Sequence, residues 1–288
     1  MRTTAALTFA SLLSLPVATL AAQSQPDYAS AMLHVHAGET PAASPATQIA
    51  PRLQVVTETV TYATVNGKPV KGFLAKPAAR AGRAGQGGRS GPALLVVHEW
   101  WGLNDNIRDI AKRYAGEGYT VLAVDLFGRV ATTPDVAMGL YQAAMKNIPA
   151  GEQNVGQAVA YLKKQGASSI GTVGYCFGGH WSLRAGLAGG PNVNAVVVYY
   201  GAPITDPAQL SRLKAPVLGL YGGKDESIPL DSVRAMERAL KQAGRKVDVT
   251  VFPTANHAFA NPSGQSYDAA AAESAWTKSL AFLKANLK

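Results

Sequence analysis

The chain has 288 residues, 47% of them hydrophobic and 16% charged, with a single cysteine. One cysteine excludes a disulfide scaffold, the apolar content excludes a disordered chain, and the lack of a glycine at every third position excludes a collagen. Lysine and arginine exceed aspartate and glutamate by 27 − 18 = 9, but these basic residues are scattered instead of gathered along one face, which argues against a nucleic-acid partner.

Residues 1–22, MRTTAALTFASLLSLPVATLAA, join Arg2 to an apolar run and then to small residues, the pattern of a cleaved secretory signal. A periplasmic or secreted protein is expected. No later stretch approaches about 18 uninterrupted apolar residues, so no membrane span is expected. Residues 23–52, rich in Ala, Pro, Ser and Thr and without a period, read as a flexible leader that does not pack. Its His34 and His36 lack a third ligand, so no metal site is expected there.

Residues 53–288 read as one domain in which short β-rich runs alternate with helical ones. LQVVTETVTYATV and VKGFLAKP flank Asn66-Gly67, a strong hairpin signal. ALLVVH (93–98) is an apolar run suited to a strand covered on both faces. Asn104 or Asp105 can cap the helix that follows, where Ile107, Ile110, Ala111 and Tyr114 recur at helical spacing. Further strands are expected at 119–125, 169–175, 194–200, 216–222 and 246–252. Helices are expected near 134–146, 151–165, from 177, 229–243 and 268–286. Alternation of this kind means right-handed crossovers and a mainly parallel twisted sheet with helices on both faces, preceded by an N-terminal β-hairpin.

Such sheets carry function at the carboxyl ends of their strands. The residues found there are Glu99, Asp125, Cys176, Asp225 and His257. In GTVGYCFGG (171–179), Cys176 stands between Gly174 and Gly178 at a strand-to-helix junction, the frame of a nucleophile elbow with sulfur in place of a hydroxyl. A helix N-terminus beneath the sulfur favours thiolate. A thiol nucleophile is helped by a base that a third group holds in orientation. His257, in NHAF, and Asp225, in GGKDESIP, follow Cys176 in the chain order of that fold. His98 and His180 are assigned to packing or substrate contacts, and Asp125 to local backbone amides or Arg129.

The stretches HEWWGLNDNIRDIAKRYAGEGYTVLAVDLFGR, VGYCFGGHWSL, GGKDESIP and NHAF resemble the dienelactone hydrolase family of α/β-hydrolases, over nearly everything from residue 55 onward. The resemblance implies a Cys176-Asp225-His257 triad, a functional glutamate at Glu99, and hydrolysis of an ester or lactone with neither metal nor organic cofactor. It also implies an oxyanion hole made by the amides of Phe177 and Trp100. Family lactonases hold a substrate carboxylate with arginine four residues after the histidine; here that residue is Asn261, and residues 134–145 contain no Arg or Lys. Trp101, Phe127 and Trp181 are expected at the pocket mouth, pointing to an apolar or aromatic acyl group. Repulsion between Glu99 and the sulfur is expected to keep Cys176 as a thiol. The partner is then a small-molecule ester or lactone and the chain a monomer. The competing reading is a relative without turnover that binds small molecules or senses redox state through its thiol.

Overall fold

A computed structural model describes residues 28–39, 41, 49–80 and 91–288. The signal-like segment 1–22 and much of the leader lie outside the described residues. No helix among the described residues is long and apolar enough to cross a membrane.

Strands β1 (Val55–Val65) and β2 (Lys68–Pro77) form the expected antiparallel hairpin, with Val65 opposite Lys68. Its two-residue turn places Asn66 at φ 50° and Gly67 at φ 74°, and these two residue types tolerate the left-handed region that such a turn demands. The remaining strands are β3 (Gly91–Val97), β4 (Thr120–Val124), β5 (Ala167–Tyr175), β6 (Ala195–Tyr199), β7 (Val217–Gly222) and β8 (Val247–Phe252). Together they make one eight-stranded sheet in the order β1-β2-β4-β3-β5-β6-β7-β8. From β4 to β8 all neighbours are parallel, and β2 joins β4 antiparallel. The central strands are buried along their whole length because helices cover both faces.

The helices are α1 (Tyr28–Val35), α2 (Asp105–Gly116), α3 (Pro134–Lys146), α4 (Ile148–Lys164), α5 (Phe177–Gly189), the short α6 (Pro207–Leu210), α7 (Leu230–Gln242) and α8 (Ala269–Asn286). Asn104 caps α2 by accepting from the Ile107 amide, which leaves Ile107, Ala111 and Tyr114 facing the core. Tyr114 meets Trp276 of α8 at 4.3 Å between ring centroids, tying these two helices together on one face. Trp181 of α5 packs against Gly151 of α4, with no room for a β-carbon there.

The chain leaves β3 toward β4 on one side and later continues from β5 toward β6 on the other, so the direction of winding reverses between β3 and β5. A crevice opens at such a reversal, at the carboxyl ends of the strands.

One expectation is corrected. Residues 28–39, read as part of a leader that does not pack, form α1 and a turn that lie over this crevice, with α1 against α3. Met32, His36 and Glu39 are buried there. The segment is too short to show a helical period on its own, and the surface that orders it belongs to the rest of the chain.

Candidate active site

β3 ends two residues before Glu99, β5 just before Cys176, β6 just before Tyr200, and β7 and β8 lead into the turns that carry Asp225 and His257. The elbow has the geometry its glycines require. Cys176 sits at φ 54°. A β-carbon on Gly174 would collide with the Gly178 carbonyl, and one on Gly178 with the carbonyl oxygens of Val97 and His98. Described non-glycine residues at positive φ are Asn66 in the hairpin turn, Cys176, Tyr200 and Ala258. The last three border the site, where strained backbone tends to collect.

The ring of His257 donates through Nδ1 to Asp225 Oδ2 at 2.7 Å. Asp225 Oδ1 is held by the Ser227 hydroxyl at 2.6 Å and by the amides of Ser227 and Ile228, both at 2.9 Å. These bonds fix the ring so that Nε2 faces the sulfur. Burial works against charge on both residues, but their mutual attraction prevails, lowering the Asp225 carboxyl and raising the His257 imidazole above their ordinary values.

A second imidazole, one not expected at this site from the sequence, also stands beside the sulfur. His36 donates through Nδ1 to Glu39 Oε2 at 2.7 Å and stacks on Trp100 at 4.3 Å between ring centroids. The Nε2 atoms of His36 and His257 and the Cys176 Sγ all lie within 4.8 Å of one another. Met32 brings its Sδ to 3.5 Å from Sγ. The spacing His36-x-x-Glu39 within HVHAGE was the available signal. Burial alone would raise the Cys176 thiol, yet the charge and hydrogen bonding of His257, then of His36, bring it down to about 6. Both imidazoles therefore favour the thiolate form of the sulfur.

Glu99 responds in the opposite sense. Its Oε2 accepts from Asn261 Nδ2 at 2.6 Å and from Asn106 Nδ2 at 3.5 Å, and its Oε1 from the Tyr200 hydroxyl at 3.2 Å. Burial, followed by repulsion from the thiolate, pushes its carboxyl up to about 8. The repulsion expected between Glu99 and Cys176 is present, but its direction favours a neutral glutamate over a neutral thiol. Two imidazoles stabilise the negative sulfur, so the cost of like charge falls on the glutamate, which keeps its proton. Asn261 is likewise engaged with Glu99 and does not face the cavity beside Cys176.

His98 donates through Nδ1 to its neighbour's carbonyl, Glu99 O, at 2.6 Å and accepts from the Leu126 amide at 3.1 Å, the bonds of a neutral packing histidine. His180 donates to Ala202 O at 3.0 Å, accepts from Arg184 Nε at 2.8 Å, and lines the cavity; burial and the arginine bring it down to about 4. Asp125 Oδ1 accepts from the amides of Phe127 and Gly128, as expected.

The narrow pocket at Cys176 is lined chiefly by Met32, Tyr141, Met145, Phe177, Tyr200 and Ile228. Trp101, Phe127 and Trp181 do not line it, which corrects their expected place at the mouth. Trp101 packs on Trp100 at 5.0 Å, Phe127 lies between His98 and Phe177 at 4.7 and 4.8 Å, and Trp181 turns away toward α4. Phe177 opens α5, and Trp100 follows β3 on the neighbouring strand.

The model of the "Dienelactone hydrolase family" matches residues 78–287. Relatives named "Putative carboxymethylenebutenolidase" include the following two. The one from Escherichia coli (strain K12) is 33% identical over 210 residues, covering 67% of this chain and 76% of its own. The one from Salmonella typhimurium is 31% identical over 265 residues, covering 84% and 93%. Among solved structures, a Klebsiella pneumoniae dienelactone hydrolase, so described on a provisional basis, has a TM-score of 0.68 at 26% identity over 80% of this chain and 99% of its own. The dienelactone hydrolase of Anabaena variabilis shares the fold at a TM-score of 0.61 and 22% identity, over 82% and 100%. With an α/β-hydrolase sheet, the matched stretch and these relatives, the chain belongs to the dienelactone hydrolase family.

Proposed function

We propose that this chain hydrolyses carboxylic esters or lactones through a thioester formed on Cys176. The observation that carries the reading is a cysteine sulfur on a strained elbow beside an imidazole whose other nitrogen is held by Asp225 at 2.7 Å. Sulfur adds to the acyl carbonyl, and the resulting oxyanion accepts from the amides of Phe177 and Trp100. Collapse breaks the carbon–oxygen bond of the ester, and His257 passes a proton to the leaving oxygen. His257 then draws a proton from water as that water attacks the thioester; the products are a carboxylic acid and free sulfur. Asp225 fixes the imidazole tautomer and stabilises its cation. Glu99 serves in its neutral form, since a second negative charge beside the thiolate would oppose its formation.

The apolar walls around Cys176, and the engagement of Asn261 with Glu99, favour an uncharged apolar acyl group over a carboxylated lactone. Because α1 lies over the crevice, substrate enters as this segment moves aside. The signal-like segment 1–22 supports an exported enzyme, periplasmic or secreted, and we take it to act as a monomer.

The test is a panel of aryl esters, enol-lactones and thioesters assayed with wild type and Cys176→Ala. Turnover that falls by at least about 10³ in the variant supports the reading. Folded wild-type protein that leaves the whole panel untouched contradicts it and favours a binding or thiol-sensing role.

A further inference from the structure

We propose that Cys176, His257, His36 and Met32 form a binding site for monovalent copper, in which the segment over the crevice supplies two of the four donors and the metal holds that segment closed.

Three observations carry this beyond the hydrolytic reading. First, the donors converge. Sγ and the two Nε2 atoms lie within 4.8 Å of one another, and the Met32 thioether lies 3.5 Å from Sγ. Two sulfurs bound to one tetrahedral ion at about 2.3 Å each stand roughly 3.7 Å apart, so the sulfur pair is already at ligand spacing. The imidazoles need only close inward.

Second, each imidazole has the support that metal-binding histidines ordinarily have. Nδ1 of His257 is held by Asp225 and Nδ1 of His36 by Glu39, both at 2.7 Å, which orients each ring and makes Nε2 the better donor. Third, both Nε2 atoms are buried, and the partner each finds is the Cys176 sulfur. His36 and His257 are 2% and 1% exposed. A hydrolase needs one such imidazole on its sulfur. The second, brought by residues outside the sheet, is what the hydrolytic mechanism leaves unexplained.

The donor chemistry selects the ion. A thiolate, a thioether and two imidazoles form a soft set, and the thioether favours copper(I) over zinc, whose usual protein donors are thiolate, imidazole and carboxylate. On binding, the sulfur and the two Nε2 atoms form bonds to the metal, and any protons on those nitrogens leave to solvent without electron transfer. The occupied site has its nucleophile and base both bound, so hydrolysis stops until copper is withdrawn.

The experiment is an anaerobic titration in which reduced full-length protein competes with a chromophoric chelator for copper(I). Copper content is read from the chelator's absorbance, and folding of every variant from far-UV circular dichroism. Wild type is expected to withdraw one copper per chain. Cys176→Ala should abolish this, His36→Ala should weaken it by at least about a hundredfold, and Met32→Leu by roughly tenfold. X-ray absorption of the loaded protein should show two sulfur scatterers. Wild type that leaves copper with the chelator overturns the inference, and so does a folded His36→Ala variant that binds as wild type does. The readout is metal partition, so an enzyme that hydrolyses esters yet ignores copper refutes this inference alone.

Discussion

Glu99 and Cys176 are neighbours whose ionisations oppose one another, and this has a consequence for stability. The Glu99 carboxyl stands at about 8 when folded, against an ordinary 4.5. The folded chain therefore retains a proton that the unfolded chain releases, and Glu99 erodes stability as pH rises from 4.5 toward 8. Glu99→Gln should remove that erosion. We expect the variant to gain on the order of a few kcal/mol over wild type at pH 8, with little difference near pH 4.5, in urea unfolding at both values. The thiol has the reverse sign: lowered from 9.0 to about 6, it contributes fully above pH 9 and its contribution is lost as pH falls through 6. Thiolate absorbance should accordingly show a midpoint near 6, and His36→Ala should move that midpoint upward, because one of the two imidazoles that stabilise the anion is gone. Cys176, Asp225 and His257 were legible in the sequence because each follows a strand and a turn of recognisable composition. Tyr200, Asn106 and the engagement of Asn261 with Glu99 were not, since they depend on which side chains meet across the crevice.

The elements were legible almost throughout, and the elbow shows why. β5 and α5 flank a glycine-framed cysteine, and those glycines answer a steric demand that any sequence making this turn must meet. Gly174→Ala should cost at least about 3 kcal/mol in denaturant unfolding, because its β-carbon meets the Gly178 carbonyl, a backbone atom that cannot swing aside. The hairpin was equally plain, since Asn66 and Gly67 both adopt positive φ. The four-residue α6 escaped, and so did α1. Eight residues are too few to fold alone, and the partners that order them are far away in sequence. Trp101, Phe127 and Trp181 were misplaced for a related reason: aromatic residues near a strand end serve the core as readily as the pocket, and periodicity does not distinguish the two.

For the whole molecule, the sheet and its covering helices are complete without the segment that overlies the crevice. A chain shortened to begin at residue 50 should keep the wild-type far-UV spectrum and a cooperative thermal transition. Its Cys176 should be alkylated by iodoacetamide at least about tenfold faster, since no local opening need precede attack. The comparison belongs above the ordinary thiol value of 9.0, where the sulfur is ionised in both forms. An unchanged rate would mean that α1 does not guard the sulfur.

Hydrolysis by this route passes through covalent chemistry at one atom, and intact-mass analysis after rapid acid quench of an aryl ester reaction reads it most directly. A single acyl group, mapped by proteolysis to the peptide containing Cys176 and released by hydroxylamine, is the predicted result. Continued turnover by Cys176→Ala, or an acyl group mapped to another side chain, would contradict it.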